Sequence, residues 1–385
     1  MLYFRFPLFL SLFLIITLFA CKDTKESKSI QSYENKLKSS EYFKYTKLIK
    51  LQQYKGYQIL TLMNPWNPEL EWITYLLLEE NYQQPQLNIK PNFTVQLPLT
   101  RTVVTMASGL GFIDQLQSLE CIVGVSKKEF VYNPLIRKSI DDGLISQVGS
   151  FEQQSIENLL MTKPQLLIQS AYSADQLSLD KFIINAGIPV IYNCDWIEEN
   201  PLARAEWIKF FGLLLSKATQ AEAIFDSIEV NYHKQCRIAE SKNHRITVLV
   251  GTPYKDIWYL PAGGSYKAQM IKDAGGHYAW KDHYQSGSLA LSFEEVYAKQ
   301  HQAEVWIEVP FETFNLMQSE NSNYELFDSF KNKRVYNNRK QMHADGANNY
   351  WERGVCRPDE ILADYIKIFN DGSDIDSLLY YKRLK

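Results

Sequence analysis

The sequence predicts an α/β fold: two Rossmann-like lobes, each a mainly parallel sheet flanked by helices, joined by one long interlobe helix and preceded by an extra N-terminal β-hairpin. Three observations predict it. One pattern occurs twice: Gly149-Ser150 precedes Ser155-x-Glu157, an apolar stretch and Pro164-Gln165-Leu166-Leu167-Ile168, while Gly287-Ser288 precedes Ser292-x-Glu294, an apolar stretch and Glu304-Val305-Trp306-Ile307. Well before each copy an arginine opens an apolar run, Arg101-Thr-Val-Val-Thr-Met and Arg245-Ile-Thr-Val-Leu-Val. A doubled α/β unit in one chain predicts two similar lobes with a cleft between them. Between the copies, Phe211, Leu214, Ala218, Ala221, Phe225, Ile228 and Tyr232 alternate steps of three and four, which is a helical stripe.

The first 20 residues read as a leader. Arg5 precedes an apolar run, Phe6 to Ala20, interrupted only by Pro7, Ser11 and Thr17. The run is shorter than the roughly 20 apolar residues that span a bilayer, and its place suits a secretory signal. It ends Leu18-Phe19-Ala20-Cys21 and turns at once to Lys22-Asp23-Thr24-Lys25. This resembles a bacterial lipobox in which Cys21 becomes the lipidated first residue; an ordinary leader with an incidental cysteine is the plainer reading. Residues 21–45 then form a flexible tether.

The N-terminal lobe is expected over 46–198. It begins with a hairpin: strands at 54–63 and 72–78 flank the turn cluster Asn64-Pro65-Trp66-Asn67-Pro68. Pro85 to Pro98 reads as irregular. Beyond Arg101, strands at 103–106, 122–125, 165–169 and 189–192 alternate with helices at 112–119, after Ser155 and at 177–186, the signature of a parallel sheet covered on both faces. Asn200 is a helix cap and Pro201 a first helical position, so the interlobe helix is expected over 199–238. The C-terminal lobe, 239–385, repeats the alternation and ends in a helix opened by Pro358.

Composition narrows the function. The chain has 385 residues, 45% of them hydrophobic, enough for one large core or two moderate ones. Formal net charge is -3, and loss of residues 1–20 removes only Arg5, leaving -4. Nothing in that balance attracts nucleic acid. Aromatic content of 14% is high, and these rings must fill cores, line a binding surface, or do both. Cys121, Cys194, Cys236 and Cys356 are scattered, without C-x-x-C, and read as buried thiols, although an exported compartment permits disulfides.

Several stretches resemble a known family. "VGSFEQQSIENLLMTKPQLLI", "EENPLARAEWIKFFG" and "LPAGGSYKAQMIKDAGGHYAW", with Arg101–Ser126 and Arg334–Ile368, are similar to the substrate-binding lipoproteins of ABC importers for iron complexes and cobalamin, in the branch with an extra N-terminal hairpin. The resemblance covers roughly residues 50–385. It implies a monomer in the periplasm, held to the membrane only by its lipid, that binds a chelated iron or corrinoid between its lobes. Its partners would be an ABC permease and its ATPase. No intrinsic cofactor and no catalysis are implied.

Carried over residue by residue, the resemblance makes Glu157 and Glu294 the acids that meet permease arginines. On spacing alone, both could simply favour a helix N-terminus, since Ser155 and Ser292 look like caps. Ligand contacts are expected from loops at the carboxyl ends of strands: Ser108, Phe130, Tyr132, Phe151, Tyr172 and Trp196 in the first lobe, and Trp258, Tyr259, Tyr266, Trp280, Trp351 and Arg353 in the second. Aromatic walls suit a large flat ligand, and a cation suits an anionic chelate; core packing is the competing role for each ring. The six histidines form no metal-binding spacing, and Gly109-Leu-Gly111 lacks the third glycine of a dinucleotide loop. A lipid-anchored hydrolase would need a nucleophile motif such as G-x-S-x-G, which does not occur. A surface lipoprotein without a small ligand is the remaining alternative.

Overall fold

Alternating apolar and polar residues from Ile49 onward build a sheet before either lobe begins. In the computed structural model, which describes residues 42–149, 155–241, 245–370 and 375–385, this sheet has four strands: β1 (Ile49–Tyr54), β2 (Tyr57–Asn64), β3 (Asn67–Leu78) and β4 (Phe93–Gln96). β1, β2 and β3 are antiparallel, and β4 lies parallel to β3. The expected hairpin is β2–β3. Two boundaries need correction. Gly56, at φ 84°, turns the chain inside the stretch read as one strand. Phe93–Gln96, within the stretch read as irregular, buries Phe93 and Val95 on one face and forms β4.

The tether is also shorter than expected. Tyr42 and Phe43 are buried, and the backbone N–H groups of Lys44, Tyr45 and Thr46 donate to the Glu206 carboxylate at 2.7, 2.7 and 2.9 Å. The folded body therefore includes residues 42–45. The leader, Cys21 and the rest of the tether lie outside the described residues.

The first lobe contains β5 (Thr102–Val104), α1 (Ala107–Gln115), β6 (Ile122–Val125), α2 (Pro134–Asp141), β7 (Ser146–Gln147), α3 (Ile156–Met161), β8 (Leu166–Ser170), the short α4 (Gln176–Leu179) and α5 (Lys181–Asn185), and β9 (Val190–Asn193). The strands pair in the order β7-β6-β5-β8-β9, all parallel. Strand order reverses between β5 and β8. Such a switch point opens a crevice at the carboxyl ends of the strands, where Ser108 begins α1 and Tyr172 follows β8.

The single interlobe rod is corrected. Residues 201–240 form two helices, α6 (Pro201–Leu214) and α7 (Ala218–Glu240). Ser216 takes φ 56° at the break. A Cβ on Gly212 would stand 2.4 Å from that of Ala221, the Lys209 ammonium lies 4.4 Å from the Phe225 ring centre, and Glu206 and Glu229 both reach Lys44 and Tyr45. Residues early in α6 thus meet residues late in α7, so the pair is an antiparallel helical hairpin. The apolar stripe ran unbroken because both helices bury toward the same core. Every α6 residue is buried.

The second lobe comprises β10 (Val248–Val250), β11 (Trp258–Pro261), α8 (Tyr266–Asp273), β12 (Ser288–Leu291), α9 (Phe293–Gln300), β13 (Val305–Ile307), α10 (Phe314–Glu320), α11 (Asp328–Lys331), β14 (Tyr336–Asn337), α12 (Asn349–Glu352), α13 (Pro358–Phe369) and β15 (Lys382–Arg383). β10 and β13 are parallel, and parallel bridges at Thr247–His277 and Trp306–Val335 widen this sheet on both sides. β11–β12 and β14–β15 are antiparallel pairs.

The lobes are clasped directly. The buried Glu352 carboxylate of α12 accepts from the backbone N–H groups of Tyr132 and Asn133 at 2.6 and 2.9 Å, just before α2. Arg137 pairs with Asp345 at 2.7 Å. A Cβ on Gly111 would stand 1.9 Å from the Glu352 carbonyl oxygen, so glycine is required for this approach.

Burial pushes the Glu352 carboxyl up to about 7 despite those two N–H bonds. The sign follows from linkage. Between an ordinary value of 4.5 and about 7, the folded protein holds a proton that the unfolded chain has released, so this group makes stability fall as pH rises through that window. Urea midpoints measured from pH 5 to 7.5 should decline for the wild type and decline less for Glu352→Gln; parallel profiles would refute the assignment.

Candidate functional site

Three parts of the chain converge on one cavity of about 570 Å³. The β2–β3 turn contributes Pro65 and Trp66. The segment after β9 contributes Trp196, Ile197, Glu198 and Glu199. The second lobe contributes Pro261, Ser265, Tyr266 and Lys267 around the start of α8, with Ser286, Gly287 and Ser288 leading into β12. The volume lies within the roughly 300–1,000 Å³ typical of small-molecule sites.

Local sequence explains these positions. Asn64 Oδ1 accepts from the N–H groups of Trp66 and Asn67 at 2.9 and 3.1 Å, an Asx turn that fixes the hairpin tip. Ser265 caps α8 by accepting from Ala268 N at 3.3 Å, which sets Tyr266 and Lys267 in the first turn facing the cavity. Trp196 sits in a short helical turn directly after β9 and lies 5.9 Å from the Tyr172 ring.

A buried charge network underlies the cavity and crosses between the lobes. Arg204 of α6 pairs with Asp195 at 2.9 Å, and its guanidinium lies 4.9 Å from the Tyr266 ring centre. Asp195 also accepts from the Ser108 hydroxyl at 3.0 Å and the Asn193 amide at 2.7 Å. Glu198 accepts from Trp207 Nε1 at 2.9 Å and from the Thr46 hydroxyl, yet burial still raises it to about 7.

On the opposite wall, Lys267 pairs with Glu308, whose same oxygen accepts from the hydroxyls of Tyr350, Tyr365 and Tyr381 at 3.0, 3.1 and 2.6 Å. Burial opposes ionisation of Glu308, but Lys267 and the tyrosine hydroxyls hold it below the ordinary range. The Glu308 backbone takes φ 62°, a region that favours glycine.

Of the expected contacts, the cavity brings together Trp196 and Tyr266, with the Tyr172 ring tilted against Trp196. Others do something different. Trp258 and Trp280 are core: Trp258 stacks on Trp306 at 5.7 Å and donates to the Val250 carbonyl, while Trp280 packs on Tyr278 at 5.7 Å. Ser108 is consumed by Asp195 beneath the cavity. Tyr132 packs on His343 at 4.8 Å within the clasp. Arg353 pairs with Glu360 at 2.8 Å and is no free cation for an anionic ligand. Phe130, Tyr259 and Trp351 are exposed away from the cavity lining, and Phe151 lies outside the described residues.

The sequence reading passed over Pro65, Trp66, Ser265 and Lys267. A tryptophan between two prolines in a turn was the available signal, because a large apolar ring at a hairpin tip has no core to fill. Glu157 and Glu294 are both exposed, in the first turns of α3 and α9, on different lobes. In the second copy the capping box belongs to Glu295, which reaches back to Ser292 N at 2.8 Å, so Glu294 is not needed for it.

Among the described residues no helix is long and apolar enough to cross a membrane, and Cys121, Cys194, Cys236 and Cys356 are free thiols.

A family model described as "Periplasmic binding protein" matches residues 115–338, more than half of the chain. An uncharacterized lipoprotein of Methanocaldococcus jannaschii is 28% identical over 293 residues, spanning 72% of this chain and 67% of that protein. Among solved structures, a periplasmic heme-binding protein from Pseudomonas aeruginosa superimposes with a TM-score of 0.54 at 16% identity, over 74% of this chain and 98% of its own. An ABC-type Fe3+-hydroxamate transport protein from Saccharomonospora viridis gives 0.52 at 14% identity, over 71% and 93%. At such identities these likenesses establish the fold.

Proposed function

Since the chain belongs to the periplasmic binding protein family, the solute-binding components of ABC transporters, we propose that it captures an iron complex, a ferric siderophore or heme-like chelate, and hands it to an ABC permease and its ATPase. The observation that carries this reading is the aromatic-lined cavity between the lobes, at the carboxyl ends of β9 and β11. Mechanism is capture and release without covalent chemistry. Cys21 would hold the protein to the membrane through its lipid, and Glu157 and Glu294 would set it on the permease.

One observation favours a corrinoid as the second reading. Lys267 at the cavity wall and Arg204 beneath it are each neutralised by an internal carboxylate, and Arg353 is paired as well. A wall with no spare cation suits a ligand of little net negative charge.

Native mass spectrometry of the protein purified from its own host, with iron and cobalt assays on the same sample, tests both. An added mass with stoichiometric iron supports the first reading and one with cobalt the second. Added mass without either metal, or protein that retains none of hemin, ferrioxamine B and cyanocobalamin after desalting, refutes both.

A further inference from the structure

We infer that the N-terminal sheet supplies a third wall of the binding cavity and that Trp66 is a specificity-determining contact for a ring face of the solute. The inference rests on the reading of the cavity as a solute site.

Trp66 lies outside the stretch that the family model matches, in a sheet that precedes both lobes. Its hairpin is nevertheless built into the site. Trp72 of β3 donates its indole N–H to the Ala174 carbonyl at 3.1 Å, in the loop that carries Tyr172, and its ring lies 5.3 Å from the buried Tyr192. Trp66 stands edge-on to Trp72 at 5.6 Å, so the tip is braced against the first lobe. Register shifts at Leu62–Met63 and Met63–Asn64 bend the hairpin just before the tip, and such irregularities commonly re-aim side chains beside functional sites.

The Asx turn at Asn64 then fixes the backbone of Trp66. The indole is held on one edge only and stays 41% exposed, as does Trp196 across the cavity. This braced, half-exposed tryptophan lines the same cavity as Trp196 and Tyr266, so aromatic rings reach it from three separate parts of the chain. The matching occupant is a solute with a flat conjugated or aliphatic ring surface, since ring faces stack on indole and open polar chains gain little from it.

The test compares wild type, Trp66→Ala, Trp66→Phe and Leu70→Ala, an exposed residue of the same hairpin that does not line the cavity. Hemin, cyanocobalamin and ferrioxamine B are the probes, with dissociation constants from equilibrium dialysis. A ring-bearing probe should bind wild type most tightly, and Trp66→Ala should weaken it roughly tenfold. Trp66→Phe should stay within about threefold, and Leu70→Ala should match wild type, with all melting temperatures close to wild type.

Equal affinity of Trp66→Ala and wild type would overturn the third wall while leaving the solute-binding reading intact. So would preference for ferrioxamine B with no effect of Trp66→Ala. Retention of no probe by wild type would overturn the solute-binding reading and this inference with it.

Discussion

Replacing Arg204 by methionine should destabilise the protein by about 3–5 kcal/mol, because it strands a buried carboxylate. Asp195 is 1% exposed and Arg204 7%. With the guanidinium gone, Asp195 keeps only the Ser108 hydroxyl and the Asn193 amide, two neutral donors that do not offset a full charge away from water. The alternative, that the pair is an ornament of a well-packed helix, predicts a loss of no more than about 1 kcal/mol. A second variant separates the two: Arg204→Met with Asp195→Asn removes both charges and keeps a donor-accepting oxygen for Ser108. It should recover most of the stability lost by the single change, since the cost lies in the unpaired charge and not in the missing contact. Urea unfolding of the single and double variants measures this. A single variant within about 1 kcal/mol of wild type would refute the claim.

Strand and helix periodicity placed β5, β6, β8 and β9 within a residue or two, and the helix opened by Pro358 as well, because those segments bury regular faces; the exposed two-residue β7 escaped it. The doubled Ser-x-Glu pattern located α3 and α9 correctly for the same reason. Periodicity was silent on direction. The stripe from Phe211 to Tyr232 reads alike for one straight helix and for two that fold back, and it takes the break at Ser216 and the close approach of Gly212 to Ala221 to distinguish them. The lobes are therefore linked by a helical hairpin and by the Glu352 and Arg137 contacts rather than by a single rod.

The site was less legible than the fold. Loops after strands supply two of the residues that line the cavity, Trp196 and Tyr266. Position after a strand cannot tell a ring that faces a cavity from one that fills a core. In β11 successive side chains alternate sides, so Trp258 enters the core while Tyr259 turns outward. Partner choice was invisible too: nothing around Arg353 in the sequence singles out Glu360, seven residues on in the first turn of α13, as its mate. Trp66 escaped because a turn cluster was read as punctuation, when its position in space depends on how a sheet outside the two lobes packs on Ala174.

Reversing both Glu157 and Glu294 to lysine should abolish delivery of bound solute to the permease while leaving its affinity for the solute unchanged. The argument rests on placement. Both carboxylates are exposed, sit in equivalent first helical turns of separate lobes, and form no ion pair among the described residues. Neither provides its helix cap: Ser155 accepts from Asn158 N at 3.2 Å while donating its hydroxyl to Glu157 at 3.1 Å, and Glu295 supplies the capping box of α9. Their remaining value to the helices is the dipole effect, about 0.3–1 kcal/mol each, which the double variant would lose without unfolding. Two anionic anchors on separate lobes define one docking orientation, and like-charge juxtaposition against permease cations costs several kcal/mol. Each single reversal should slow delivery, and the pair should do so by more than either alone. Delivery by wild type should weaken as salt rises from 0.05 to 0.5 M, estimated values spanning a Debye length from about 14 Å to about 4 Å. Uptake into proteoliposomes holding the cognate permease and ATPase, run beside a solute-binding titration, reads both quantities. If the double reversal lowers solute affinity in parallel with uptake, these residues act on the cavity and not on the permease; if uptake is untouched, docking lies elsewhere on the surface.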